Sequence, residues 1–439
     1  MDSRLPATTS DPATSSDPTA TADSTIVTAE AISAAANVLA GTVITTPLER
    51  SERLSQELGV TVYLKREDMQ LGRSYKVRGA FTLMSSLTAE QRAAGVICAS
   101  AGNHAQGVAY ACHTLQIRGL VVLPSTTPRQ KRDRIRAIGG PWIEQVIGGA
   151  TFDECNFQAR ERAHREGLTF VPPFDDPRVM AGQGTVCREI FEQCPEPVGT
   201  IVVPVGGGGL IAGLSTWAKA TDPSVRVIGA EPAGAASMQQ ALRAGQPVAL
   251  RRVDPFVDGA AVGRAGDLTW TVVRDRVDSV VSVPSGAVCT EMLDLYQTEG
   301  IIAEPAGALA SAALRRHIDL DDDARAVVCI VSGGNNDVSR YADVLERSLV
   351  HEGVRHYFLV TFPQQPGALR GFLDETLGPD DDIVLFEYTK KTNRETGPAL
   401  VGIDIAKPEA LASLMERMAG SDLHIEKIAP DSPVFEFLL

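Results

Sequence analysis

From about residue 26 to about residue 345, short apolar runs alternate with helical patterns, a rhythm that admits few folds other than parallel sheets covered by helices. Predicted strands include Val60 to Leu64, Gly95 to Ala99, Gly119 to Leu123, Ile201 to Val205, Arg226 to Ala230 and Ala326 to Val331. Several of these are apolar throughout, as strands buried on both faces must be. Helices are predicted between them, for example over Ala105 to Leu115, Ile211 to Ala220 and Ala306 to His317. A chain of 439 residues exceeds one compact core, and its 44% apolar content is ample for two or three.

Near residue 350 the rhythm changes. His356 to Pro363 alternates as a strand, Pro366 to Leu377 reads as a helix, and Ile383 to Lys391 and Pro398 to Ile405 read as strands. Pro408 to Ala419 follows as a helix, and Leu423 to Ile428 and Val434 to Leu438 as extended segments. This βαββαβ order predicts a ferredoxin-like unit of about 90 residues, present once. At the other end, residues 1–25 are almost entirely Ala, Ser, Thr, Pro and Asp, too polar to offset chain entropy, and are expected to be disordered.

The formal net charge of −14 disfavours nucleic acid and anionic membranes as partners. No apolar run reaches the roughly 18 residues that a membrane-crossing helix needs. Seven scattered cysteines without a Cys-x-x-Cys pair read as reduced thiols of a cytoplasmic protein.

Ligands in parallel sheets sit at the carboxyl ends of strands, and three motifs fall there or at a following helix start. Gly72 to Ala80 sets Lys76 in a loop of small residues, where its amine can hold an aldehyde cofactor. Ser100-Ala101-Gly102-Asn103-His104 opens a helix with a cluster of donors suited to a carboxylate or a ring oxygen. Gly206-Gly207-Gly208-Gly209-Leu210 follows the apolar run Ile201 to Val205 and leaves no Cβ between a phosphate and the backbone N–H groups. The same glycines fit a tight turn under close packing. Gly207 to Ala212 also fits a dinucleotide fingerprint, with Glu231 about 20 residues on. His351 and His356 are five apart rather than the four of a zinc protease helix.

Lys65-Arg66-Glu67-Asp68 ahead of Ser74-Tyr75-Lys76-Val77-Arg78-Gly79-Ala80, then Ser100 to Gly107, Gly206 to Leu210 and Ser332-Gly333, occur in that order. Together they resemble the fold-type II (tryptophan synthase β-like) pyridoxal-phosphate enzymes, and within them the biosynthetic threonine dehydratases. The resemblance implies a two-subdomain catalytic unit over 26–345, with the smaller subdomain at roughly 70–180, and an ACT-like regulatory unit over 346–439. It makes Lys76 the lysine that binds pyridoxal 5′-phosphate and removes the substrate's α-proton, and Tyr75 the aromatic neighbour of the ring. Asn103 would bond the ring hydroxyl, Gly206, Gly207, Gly208, Gly209 and Leu210 the phosphate, and Ser332 the ring nitrogen. Ser100, Ala101, Gly102, Asn103 and His104 would take the substrate carboxylate, with Glu304 and the Asp258-Gly259-Ala260 loop lining the pocket. No proton transfer falls to His104.

The implied reaction is dehydration and deamination of L-threonine, or L-serine, to a 2-oxo acid and ammonia, in a homotetramer inhibited by L-isoleucine and opposed by L-valine. Racemases of this fold carry a serine where this chain has Ala101, so racemisation is the weaker alternative, and a dinucleotide-dependent oxidoreductase is a more distant one. Ser237 stands where related racemases place an acid near a cation, so no metal is expected.

Overall fold

The structure, a computed structural model, describes residues 26–316, 318–320, 325–390, 392–429, 432 and 434–435. The reading of residues 1–25 as disordered lies outside them.

The alternating part of the chain forms two parallel sheets. In the larger, six strands lie in the spatial order Leu48–Arg50, Val62–Arg66, Ala326–Val331, Val198–Pro204, Arg226–Pro232 and Ser279–Val283. All run parallel except the short edge strand Leu48–Arg50. Every residue of Ala326–Val331 and Val198–Pro204 is buried, as expected of apolar strands at the centre of a doubly covered sheet. The smaller sheet orders Ile143–Gly149, Gly119–Pro124, Val96–Ala99 and Thr169–Phe170, again all parallel.

One strand starts later than its apolar pattern suggests. Val60 and Thr61 follow the left-handed Gly59 that ends helix Glu52–Leu58, so the strand runs from Val62 through the charged pair Lys65 and Arg66. Lys65 is fully buried there because Glu189 and Gln193 accept from its Nζ at 2.7 and 2.8 Å.

Helix Lys76–Ser85 packs tightly on helix Pro177–Gln193: a Cβ on Gly79 would lie 2.8 Å from the Val179 carbonyl oxygen, and one on Gly182 2.5 Å from that of Arg78. Beneath this crossing Arg78 is wholly buried and donates to Glu67 at 2.7 and 2.9 Å and to Glu189 at 2.6 and 3.0 Å. The amine of Lys76 is thus carried on a helix whose first turn is clamped on two sides.

Beyond helix Tyr341–His351 lie Arg355–Pro363, Ala368–Thr376, Asp382–Tyr388, Thr396–Asp404, Ala410–Gly420 and His424–Lys427, the βαββαβ order expected. The four strands form one antiparallel sheet, with Arg355–Pro363 and Thr396–Asp404 central. Its covered face packs Phe358, Val360, Val401 and Ile403 against Phe372, Leu414 and Met418 of the two helices. Of the extended segment expected over 434–438, only Val434 and Phe435 are described, and they lie in a turn; Phe435 packs edge-on against Tyr357 at 5.9 Å. No helix among the described residues is long and apolar enough to cross a membrane.

Candidate active site

The three motifs meet between the carboxyl ends of the two sheets. Lys76 is the first residue of its helix, and its Nζ donates to the Pro173 carbonyl at 3.1 Å and lies 5.1 Å from the centre of the Tyr75 ring. A Cβ on Gly107 would come within 3.0 Å of the Lys76 backbone, so helix Asn103–Leu115 lies directly against the lysine.

Asn103 opens that helix but does not cap it; Gly102 occupies the cap position. The Asn103 side chain turns instead into the cleft. Its Nδ2 donates to Glu304 Oε1 at 2.6 Å and its Oδ1 accepts from Asn335 Nδ2 at 2.6 Å. Burial, with Asp258 adding to it, pushes the Glu304 carboxyl up to about 7. His104 Nε2–H donates to the Val171 carbonyl at 2.9 Å. Burial first, and the Lys76 charge second, hold its imidazole down to about 3, so it is neutral at working pH and suited to packing rather than proton transfer. Ser100 Oγ accepts from the Gly102 N–H at 3.2 Å, while the first N–H groups of the helix, Asn103 and His104 among them, have no intrahelical acceptor.

The glycine loop lies between Val198–Pro204 and helix Gly209–Thr221. Its glycines are required by neighbouring protein atoms. A Cβ on Gly207 would lie 2.2 Å from the Phe174 ring, and one on Gly206 3.0 Å from Ala260 Cα. Gly208 is left-handed at φ +94°. The packing reading of this loop is therefore correct as to why glycine stands there. It also leaves the N–H groups of the buried Gly207 and Gly208, at a helix start, without an acceptor among the described residues. Buried N–H groups seldom go unpaired, and acceptor-free ones at a helix N-terminus fit a phosphate. With a lysine amine and an amide donor in the same cleft, the residues present fit pyridoxal phosphate.

Ser332 follows Ala326–Val331 and is buried; its Oγ donates to the Ala306 carbonyl at 3.1 Å and its carbonyl accepts from the Tyr75 N–H at 3.3 Å. The Asp258-Gly259-Ala260 loop touches both Glu304 and the glycine loop, since a Cβ on Gly259 would lie 3.3 Å from Glu304 Oε1. Lys131, on helix Arg129–Gly139 of the smaller sheet, donates to Asp258 at 2.9 Å and ties the two halves together.

Glu231 does not serve the dinucleotide reading. Its two oxygens accept from the Met238 and Gln239 N–H groups at 2.7 and 2.8 Å, and it is fully buried, out of reach of a ribose. Ser237 Oγ beside it is buried without a partner among the described residues. Pro173 and Phe174, which join the lysine to the glycine loop, escaped the sequence reading; Asn335, in the Ser332-Gly333-Gly334-Asn335 motif at a strand end, was flagged by place but not for its hold on Asn103.

Residues 39–333 match the family described as pyridoxal-phosphate dependent enzyme, and residues 346–438 match the C-terminal regulatory domain of threonine dehydratase. The biosynthetic L-threonine dehydratase of Mycobacterium tuberculosis (strain ATCC 25618 / H37Rv) is 56% identical over 411 residues, covering 93% of this chain and 95% of that one. The processed form of threonine deaminase isoform 2 from Solanum lycopersicum superposes with a TM-score of 0.68 at 40% identity, over 74% of this chain and 95% of that chain. Maize serine racemase superposes with a TM-score of 0.68 at 32% identity, over 74% of this chain and 98% of that chain. The chain belongs to the pyridoxal-phosphate dependent enzymes, among the biosynthetic threonine dehydratases that carry a C-terminal regulatory domain.

Proposed function

We propose that this protein is a threonine ammonia-lyase, converting L-threonine to 2-oxobutanoate and ammonia for isoleucine biosynthesis in the cytoplasm. The observation that carries the reading is the convergence of Lys76 Nζ, the Asn103 amide and the acceptor-free N–H groups of the glycine loop on one cleft.

Pyridoxal phosphate, when bound, supplies an electron sink for the substrate's Cα. Lys76 binds it and is the base that takes the Cα proton. Tyr75 would flank the ring, Asn103 would donate to the ring oxygen, and Gly206 to Leu210 would hold the phosphate. The N–H groups from Ser100 to His104 orient the substrate carboxylate. Glu304 keeps Asn103 in place, and Ser332, whose hydroxyl donates to the Ala306 carbonyl here, would meet the ring nitrogen. A serine there, unlike an aspartate, would carry no charge to set against the ring nitrogen. Ala101 offers no hydroxyl on the face opposite Lys76, so racemisation lacks its second acid.

Residues 26–345 are the catalytic unit, with the smaller subdomain at roughly 70–180. Residues 346–439 are regulatory and bind L-isoleucine as inhibitor and L-valine as its opponent, in a homotetramer. The test is release of 2-oxo acid from L-threonine and L-serine, with and without L-isoleucine, by the full chain, by Lys76→Ala and by a chain ending at residue 345. The full chain is expected to be active and inhibited, the truncation active and insensitive, and Lys76→Ala inactive. Inhibition that survives truncation would place the effector site in the catalytic unit; an active Lys76→Ala would remove the lysine from the chemistry.

A further inference from the structure

We propose that Asn335 is a positioning residue that fixes which way round the Asn103 amide stands, and with it the hydrogen bond offered to the cofactor ring; this rests on the cofactor reading above. The two ends of an asparagine amide have nearly the same shape, so partners alone decide which faces where. Asn335 has its own orientation imposed by the backbone: its Nδ2 donates to the Gly72 carbonyl at 2.7 Å, a group that only accepts. The second hydrogen of the same Nδ2 goes to Asn103 Oδ1 at 2.6 Å. Asn103 must therefore turn its oxygen toward Asn335 and its NH2 into the cleft. One of those two hydrogens is taken by Glu304 Oε1 at 2.6 Å, and the other is left to give.

Glu304 alone cannot perform this service. Its carboxyl titrates near neutrality, and once protonated it donates to an oxygen as readily as its anion accepts from an NH2 group. Without Asn335, Asn103 would be free to turn over and present its oxygen to the electron-rich ring oxygen.

The experiment uses the purified holoenzyme and the variants Asn335→Ala and Asn335→Asp. Aspartate keeps the volume and puts an acceptor where Nδ2 stands, which drives the Asn103 amide to turn round, and it stands in should Asn335→Ala fail to fold. The readout is the ratio of the near-ultraviolet to the visible absorption of bound pyridoxal phosphate across pH, which follows protonation of the ring oxygen and which a merely structural role would not move. In both variants the ratio at fixed pH is expected to rise about tenfold, equivalent to one pKa unit. Turnover of L-threonine is expected to fall about tenfold with KM within about twofold, the scale of an outer partner that orients a ligating group. Variants that bind the cofactor and keep the wild-type ratio would overturn the proposal. A wild-type protein with no visible band would refute the cofactor reading itself, and the proposal with it.

Discussion

Gly207→Ala is expected to weaken pyridoxal phosphate binding sharply although it adds one methyl group away from the lysine. The new Cβ would lie 2.2, 2.3 and 2.4 Å from Cδ1, Cε1 and Cγ of Phe174. Carbons in contact rest at about 3.5 to 4.0 Å, so the ring or the loop must retreat by more than about 1 Å. The ring has little room to do so. Its own backbone lies against Gly209, where a Cβ would be 2.9 Å from Phe174 Cα, and the preceding carbonyl of Pro173 accepts from Lys76 Nζ. Overpacking of this kind costs about 1 to 3 kcal/mol. If the loop relieves it by shifting, the cost is returned when the phosphate pulls the loop back, which weakens binding about 5- to 150-fold at 1.4 kcal/mol per decade. The assay is a titration of cofactor-stripped protein followed by visible absorbance, alongside Gly207→Ala/Phe174→Ala, which removes all three clashing atoms. The double variant should recover more than half of the lost affinity, since contacting residues are coupled. A Gly207→Ala protein that binds within about twofold of wild type would refute the reasoning that Phe174 fixes the loop.

Two further outcomes follow from buried charge. In the cofactor-free protein Glu304 holds its proton up to about 7, against 4.5 for a free glutamate. The native state therefore binds the extra proton between those values, and the contribution is present in full below the lower one and lost as pH rises through the higher. At 1.36 kcal/mol per unit the loss is about 3 kcal/mol, and Glu304→Gln should flatten the fall in melting temperature between about pH 5 and 8; equal slopes in both proteins would exclude Glu304 as its source. Arg78→Met leaves Glu67 and Glu189 facing each other in the interior, and should cost about 3 to 5 kcal/mol in thermal or denaturant unfolding. A loss below about 1 kcal/mol would mean that the network contributes as little as an exposed ion pair.

Much of the fold was legible because its central strands carry continuous apolar runs, Ala326–Val331 throughout and Val198–Pro204 from Ile201 on. Ala326–Val331 was read to the residue. The strands not named from sequence carry weaker signals: Leu48–Arg50 is a polar edge of three residues, Thr169–Phe170 has only two, and Ile143–Gly149 and Ser279–Val283 are only partly buried, with polar residues interspersed. The C-terminal unit was legible for a different reason, the shift from continuous apolar runs to alternation at Arg355–Pro363. In the site, Lys76, Asn103 and the glycine loop could be found because each stands in a short motif. Their mutual contacts could not, since Asn103 meets Glu304 and Asn335 across 201 and 232 residues of chain. The Phe174 collar left no local trace at all: it is one aromatic residue after two prolines, and only the packing reveals what it does to Gly207.

The position of Ala326–Val331 sets an order of assembly. It is the sole bridge in the larger sheet between Val62–Arg66 on one side and Val198–Pro204 on the other, yet it is the last of that sheet's strands in the chain. A growing chain released up to residue 320 holds one fragment of that sheet from its beginning and another from its middle, with no hydrogen bonds to join them. The smaller sheet, continuous between residues 96 and 170, has no such delay and can close during synthesis. The lysine must therefore wait, on a finished half, for a strand about 250 residues further on before Ser332, Asn335 and the glycine loop reach it. In that interval the bare edges of two half-sheets are exposed, the kind of surface on which chaperones and aggregation compete.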